Sequence, residues 1–270
     1  MIKKQIFGRN IKKRVLFSGL IFISLLLCLQ VFYLKPRRVV PILMYHAVND
    51  DISSTLNVTP ENFYSQMDFL RKHGYSVISL DSLVEHIKNK VYFQPKTVVI
   101  TFDDGYEDNF TNAFPVLAEH NMPAIIFLIT GAVSNQQGFL SWEQVRLMSR
   151  NGIDFGGHTR NDIYVPEIKE ESVLWGEITG CKEDIEKKTG KTADYFCFPI
   201  GGFTEKAKEM VKKAGFKGAC STNRGNDKLN RDLYELKRIK VTNSDMNKPF
   251  HFRAKLSGYY NIFRSVKKGW

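Results

Sequence analysis

Val98-Val99-Ile100-Thr101-Phe102-Asp103-Asp104-Gly105 is a β-branched and aromatic run that stops at two adjacent carboxylates and a glycine, the pattern of a buried strand ending at a functional edge. A buried carboxylate is costly unless it meets a cation or strong donors, so two side by side need partners. Neighbouring side chains diverge at a strand end. One carboxylate can therefore bind a cation while the next accepts a proton from a water that the cation activates. Gly105 frees the backbone for a turn into Tyr106 to His120, which reads as helix. A strand followed by an Asp-rich helix cap would look similar, and spacing alone does not choose between the two.

Outward from this stretch the chain alternates strand with helix. Val39 to Tyr45 reads as a strand tipped by His46, and Thr59-Pro60 opens a helix that Gly74 ends. Ser76 to Ile78 is strand-like, Leu80 to Lys88 helical, Ala124 to Ile129 a buried strand and Trp142 to Ser149 helical. Ile153 to Gly157 is a strand ending before His158, and Lys169 to Thr189 a long helix stopped by Gly190. Tyr195 to Phe198, Phe216 to Cys220 and Leu236 to Val241 supply further strands, with Thr204 to Ala214 helical between the first two. This is one parallel α/β domain, closed as a barrel or open as a wound sheet. In either form ligands bind at the carboxyl ends of the strands, where His46, Asp103, Asp104, His158 and Pro199 all fall.

The formal charge of +11 over 270 residues is concentrated at the two ends. Residues 1 to 40 hold nine bases and no acid, and residues 245 to 270 hold six bases against Asp245. The body is mildly acidic, which excludes a polyanion binder and predicts no nucleic-acid partner. Val15 to Leu34 is twenty residues without a charge, the length of a membrane-spanning helix. More bases precede it than follow it, which places the N-terminus in the cytoplasm and the rest of the chain outside. No small-x-small cleavage site follows, and Leu25-Leu26-Leu27-Cys28 lacks the small residues of a lipidation site, so an uncleaved, single-pass signal anchor is expected. Of the cysteines beyond the span, Cys181 shares a helical stripe with Leu174, Ile178 and Ile185 and reads as core, while a Cys197–Cys220 disulfide is open.

A carboxylate at 104 and an imidazole at 158 suit a zinc-like ion, and Asp162, four residues after His158, is the candidate third ligand. At this point the residues resemble the polysaccharide deacetylases with the nodulation-protein-B homology domain, carbohydrate esterase family four, over roughly residues 40 to 241. Thr101-Phe102-Asp103-Asp104-Gly105 matches the family's first motif, in which the first Asp is the general base and the second a metal ligand. His158-Thr159-x-x-Asp162 stands where the family has His-Ser/Thr-x-x-His, so the second histidine ligand is replaced. Cys197-Phe198-Pro199-Ile200-Gly201 stands where the family has Arg-x-Pro-x-Gly, a wall of the substrate groove formed here by Pro199 and Gly201. The motif arginine is missing, and Arg238 in Leu236-Lys237-Arg238-Ile239 is the candidate replacement. No histidine lies between residues 159 and 250 to serve as the family's late acid, but Pro41-Ile42-Leu43-Met44-Tyr45-His46 is similar to the early segment of the subgroup that includes poly-N-acetylglucosamine deacetylases. That assigns the general acid to His46.

The resemblance implies a distorted (β/α) barrel, seven-stranded, here preceded by an N-terminal transmembrane helix. It also implies hydrolysis of N-acetyl groups on a cell-surface or cell-wall polysaccharide with a divalent ion, zinc first and manganese, cobalt or nickel as alternatives. The implied catalytic set is Asp103, His46 and Arg238, and the metal set is Asp104, His158 and Asp162. On this reading residues 1–14 are a basic cytoplasmic terminus, 15–34 the transmembrane anchor, 35–40 a basic linker, 41–244 the deacetylase domain and 245–270 a basic, aromatic C-terminal extension. The motif departures motivate one rival, an anchored glycan-binding protein with weak or lost catalysis; a second, a metal hydrolase acting on peptides or small amides, needs a pocket of another shape.

Overall fold

The computed structural model describes residues 2–35, 38–247 and 249–264. Two units are distinct, residues 1–38 and residues 39–270. In the first, helix α1 runs Ile2–Cys28 and continues as a wider, π-helical stretch, Leu29–Leu34. The single α-helix expected over Val15 to Leu34 is thus divided at Cys28, and among the described residues no helix is long and apolar enough to cross a membrane.

Among the described residues the second unit is built on nine short parallel strands: β1 (Ile42–Tyr45), β2 (Ser76–Val77), β3 (Thr97–Phe102), β4 (Ala124–Leu128), β5 (Ile153–Gly157), β6 (Tyr195–Cys197), β7 (Gly218–Ser221), β8 (Leu236–Lys237) and β9 (Ile239–Lys240). Their order is β8-β7-β6-β5-β4-β3-β1-β9, with β2 beside β3. The two ends of that order are consecutive in the chain and separated only by Arg238. β8 pairs with β7 and β9 with β1, so the stretch expected as one strand, Leu236 to Val241, is interrupted at Arg238 and closes the sheet on itself. Taking β8 and β9 as one interrupted strand and β2 as an appendage of β3, the wall counts seven strands, the number that the resemblance implied.

Alternation along the strands sorts their side chains into two cores. Ile42, Val99, Ile125, Phe127, Tyr195, Cys197, Cys220 and Leu236 share one cluster, which Leu80, Leu83 and Val84 of α3 (Leu80–Lys88) join. Leu43, Tyr45, Ile100, Phe102, Ile126 and Leu128, one residue out of step, belong to the larger cluster under the helices. Burial on both faces is why these strands read as continuous apolar runs. The helices α2 (Pro60–Lys72), α4 (Phe114–Glu119), α5 (Trp142–Arg150), α6 (Glu171–Thr189) and α7 (Glu205–Lys213) follow strands in the expected alternation. Their ends match local chemistry: Thr59, Ser79, Ser141 and Thr204 cap N-termini through their side-chain oxygens, and Gly190 closes α6 in a left-handed conformation, φ 72°.

One expected helix is corrected. Tyr106 to His120 is not helical from its start: Tyr106 makes a bridge to Phe139, a π-helical turn covers Asn109–Ala113, and only then does α4 begin. Pro115 supplies no N–H to a preceding carbonyl, which favours the wider turn ahead of it. At the C-terminus, α8 (Ser244–Asn247), α9 (Pro249–Lys255) and α10 (Tyr260–Phe263) complete the unit. Phe252 and Leu256 enter the larger core, Phe252 meeting Phe69 edge-on at 5.5 Å. Arg264 Nη1 donates to the Arg238 carbonyl at 2.9 Å. Trp270, Lys267 and Lys268 lie outside the described residues.

Candidate active site

The carboxyl ends of β1, β3, β5 and β6 and the β8–β9 break converge on one mouth of the barrel. Thr101 and Asp103 follow the inward parity of Val99 on β3, and both meet Arg238. The guanidinium engages Asp103 through two parallel bonds, Nη1 to Oδ1 at 2.5 Å and Nη2 to Oδ2 at 2.6 Å. Nη1 also donates to Thr101 Oγ1 at 3.1 Å and Nε to the Ser221 carbonyl at 3.0 Å. Arg238 is fully buried and Asp103 nearly so. Burial alone would push the Asp103 carboxyl up, but the Arg238 charge and hydrogen bonds, helped by His158 and His46, hold it well below the usual carboxylate range. Asp103 is therefore a fixed anion whose direction is set by a planar fork.

His46 stands beside it, with Nε2 3.7 Å from Asp103 Oδ2 and its side chain 13% exposed. The loop that carries His46 is fastened by Asn109 Nδ2, which donates to the His46 carbonyl at 2.9 Å, and by Asp108, which accepts from Val48 N–H at 2.9 Å. Burial pushes the imidazole below its ordinary value, against the pull of Asp103 and Asp104.

Asp104 turns the other way because its backbone is left-handed, φ 71°, and is followed by Gly105 at φ 80°. A Cβ on Gly105 would also lie 2.6 Å from Leu128 Cδ2, so the glycine is required on two counts. Asp104 thus faces His158 at the end of β5, Oδ1 to Nε2 3.5 Å, and Asp162 Oδ1 lies 4.0 Å from the same nitrogen. His158 Nδ1 is 2.8 Å from the Cys197 carbonyl. A carbonyl only accepts, so Nδ1 donates to it, and Nε2 is the ring atom that faces the two carboxylates.

Ligand atoms of Asp104, His158 and Asp162 all lie within 4.8 Å of one another. Burial pushes the Asp104 carboxyl above its ordinary range, and Asp162 is pushed up by burial and by the Asp104 charge, against the pull of His158. Two carboxylates raised together around one imidazole are short of positive charge, which a divalent cation would supply. The donor set fits such an ion, and the half-exposed Asp162 leaves an open side. A second cluster, Asp103, His158 and Cys197, is equally close, but Asp103 is already held by Arg238 and burial pushes the Cys197 thiol well up, so it stays protonated.

Pro199 and Gly201 form a tight turn after β6 and are buried, while Ile200 between them is 65% exposed with φ 57°. A β-branched residue in that conformation is strained, a mark of functional turns. A Cβ on Gly201 would lie 2.3 Å from Thr222 Oγ1, and one on Gly202 would lie 2.1 Å from the Tyr164 ring. These glycines let the wall seat directly on its neighbours.

A family model described as polysaccharide deacetylase matches residues 90–219. Just under half of the chain thus resembles a polysaccharide deacetylase domain. It is 27% identical over 208 residues to YxkH of Bacillus subtilis, which has a provisional polysaccharide deacetylase name, covering 77% of this chain and 73% of YxkH. It is 27% identical over 200 residues to the poly-beta-1,6-N-acetyl-D-glucosamine N-deacetylase of Staphylococcus epidermidis, covering 69% of this chain and 68% of that one. In fold it is similar to the Streptococcus pyogenes deacetylase PplD, with a TM-score of 0.74 and 24% identity over 80% of this chain and 97% of that one.

In the second unit, all eight residues singled out from the sequence lie along or beside this mouth. Three contributors escaped notice. Cys197 Sγ is 3.0 Å from Arg238 Nη2, at the position of the family's motif arginine. Tyr106 lies close enough to Asp104 for the two to shift each other's titration, and its place directly after Asp-Asp-Gly was the available signal. Glu177 of α6, whose carboxylate accepts the backbone N–H groups of Arg160 and Asn161, gave none. The open question of a disulfide resolves to free thiols: Cys197 and Cys220 are register partners on β6 and β7, both unbridged and buried.

Proposed function

We propose that this deacetylase domain removes N-acetyl groups from an N-acetylglucosamine-containing polysaccharide at the cell surface, with a divalent ion held by Asp104, His158 and Asp162. The observation that carries the reading is the union at one mouth of an Arg238-locked Asp103, His46 3.7 Å away, and a three-donor cluster. When bound, the ion would polarise the acetyl carbonyl and acidify water. Asp103, anionic and fixed in direction, accepts the proton of the attacking water. His46, on the same side, delivers a proton to the departing nitrogen. Arg238 keeps Asp103 in place and takes no part in proton transfer, because guanidinium does not deprotonate at working pH. The Pro199–Gly201 turn with exposed Ile200 forms a wall for the sugar. Similarity to a relative named for poly-beta-1,6-N-acetylglucosamine supports that polymer as first substrate.

The direct test is acetate release from β-1,6-linked poly-N-acetylglucosamine, chitin oligomers and peptidoglycan, each with chelator and with added zinc or manganese. Chelator-sensitive release is expected. Glycan binding without release would instead support a binding protein, and chelator-insensitive release would remove the ion from the reading.

Asp162 replaces a neutral ligand by an anion, which lowers the net charge of the ion and its ligands and favours a harder cation such as manganese over zinc. Asp162→His is expected to raise zinc affinity about tenfold, the scale on which ligand surroundings act, and to raise zinc-supported turnover with it. Calorimetric titration and acetate release check this together. No change in either would show that Asp162 does not reach the ion.

We further infer that residues 15–34 anchor the chain in the cell membrane with the domain outside. Support comes from the uncharged twenty-residue run, the bias of flanking bases and the exposure of Leu16, Phe17, Leu20 and Phe22.

A further inference from the structure

We propose that Glu177 of α6 is a positioning residue that aims Asp162 at the ion, an inference that rests on the metal set described above. Glu177 is 7% exposed. Its Oε2 accepts the backbone N–H groups of Arg160 at 2.8 Å and Asn161 at 3.0 Å, and Oε1 accepts Asn161 Nδ2 at 2.5 Å. Successive N–H groups converging on one anion form a nest, here occupied by a side chain from another element. The turn so held begins after His158 and ends at Asp162, so both ligands flank it.

The turn needs holding. Thr159, fully buried, has φ 60° and Asp162 has φ 54°, conformations that a β-branched residue in particular avoids. Its opposite side is fastened too: the Thr159 and Arg160 carbonyls accept from Thr130 N–H at 3.4 Å and Gly131 N–H at 2.9 Å. The Arg160 side chain lies along α6 across Gly180, where a Cβ would come within 2.8 Å of Nε, and reaches Asp184 through bonds of 2.9 and 2.8 Å. Glu177, Gly180 and Asp184 are one stripe of α6. Asp162 is half exposed, so the turn's backbone, rather than contacts of its own carboxylate, sets its direction.

The test uses the full chain, titrated with Mn²⁺ and Zn²⁺ by calorimetry and with Co²⁺ by visible spectroscopy. Glu177→Gln, which leaves one acceptor where three bonds were made and puts an amide donor against N–H groups, is expected to weaken ion binding about tenfold and to alter the Co²⁺ spectrum. Glu177→Asp, with the charge withdrawn by one methylene, gives an intermediate loss and serves if Glu177→Gln does not fold. In an Asp162→Ala background, Glu177→Gln produces no further loss, because Glu177 acts through Asp162. Arg160→Ala, which removes the side-chain tether to Asp184 while the Glu177 bonds to backbone still hold the turn, keeps affinity within threefold. Unchanged affinity in Glu177→Gln, an equal loss in the Asp162→Ala background, or the same loss in Arg160→Ala would each overturn the proposal. A wild-type chain that binds none of the three ions would remove the metal reading itself, and this proposal with it.

Discussion

Asp103→Asn is expected to lower acetate release by about 10²- to 10⁴-fold, the usual contribution of a positioned base, while Mn²⁺ or Zn²⁺ affinity stays close to wild type. The amide keeps the shape of the side chain and loses the proton acceptor. It lies outside the Asp104–His158–Asp162 set, whose ligand atoms face one another across His158 Nε2. Asp104→Asn gives the opposite division: the ion is lost first and turnover falls because of it. Parallel calorimetry and acetate assays on the two variants separate the roles. Equal loss of ion binding in both would show that the two carboxylates do not divide the work as their opposed directions imply.

The largest effect on stability is expected from Arg238→Met. Arg238 and Asp103 are buried together, and removing one member of such a pair leaves an uncompensated charge, at a cost of about 3–5 kcal/mol. For a domain of this size that is a fall in Tm of roughly 6–20 °C. The double variant Arg238→Met, Asp103→Leu should recover much of the loss, since an apolar pair of similar volume tolerates burial. The pH dependence has a definite sign. Asp103 is held below its unfolded value by Arg238, so the pair's stabilisation is fully present above about pH 4, the unfolded carboxyl range, and is lost as pH falls through the lower folded value. Arg238→Met lacks this acid-labile component. Denaturant melts at neutral and acid pH measure it, and an unchanged Tm in the single variant would show that the buried pair carries no net stabilisation.

Arg238 also shows what the chain's order of events requires. Its backbone interrupts the closing strand, its side chain fills the barrel above Phe127 at 5.6 Å, and its carbonyl is held by Arg264 from the C-terminal helices. The closure of the barrel and the partner of buried Asp103 thus coincide in one residue. This accounts for a site that keeps its buried anion although the motif position ahead of Pro199 holds Cys197.

Local sequence was sufficient for whatever depends on local physics. Apolar runs bounded by polar tips fixed the strands because both faces of a parallel barrel are buried, and Ser, Thr and Gly marked helix ends through capping chemistry that acts within four residues. The pairs Asp103-Asp104 and His158 with Asp162 were legible for the same reason, since each lies at the end of one strand. The count of seven strands, by contrast, came from resemblance, and the helix over Tyr106 to His120 was misjudged because left-handed Asp104 and Gly105 and the contact of Tyr106 with Phe139 delay its start. Only tertiary structure decided which partner Asp103 has, because the residue that neutralises it is 135 positions away and arrives by barrel closure. It alone brought Glu177 under the 158–162 turn, as an exposed-looking glutamate in a helix carries no periodic signal of the backbone it will cap. Interactions that close over long separations depend on how elements meet, and composition and spacing within one element hold no record of that.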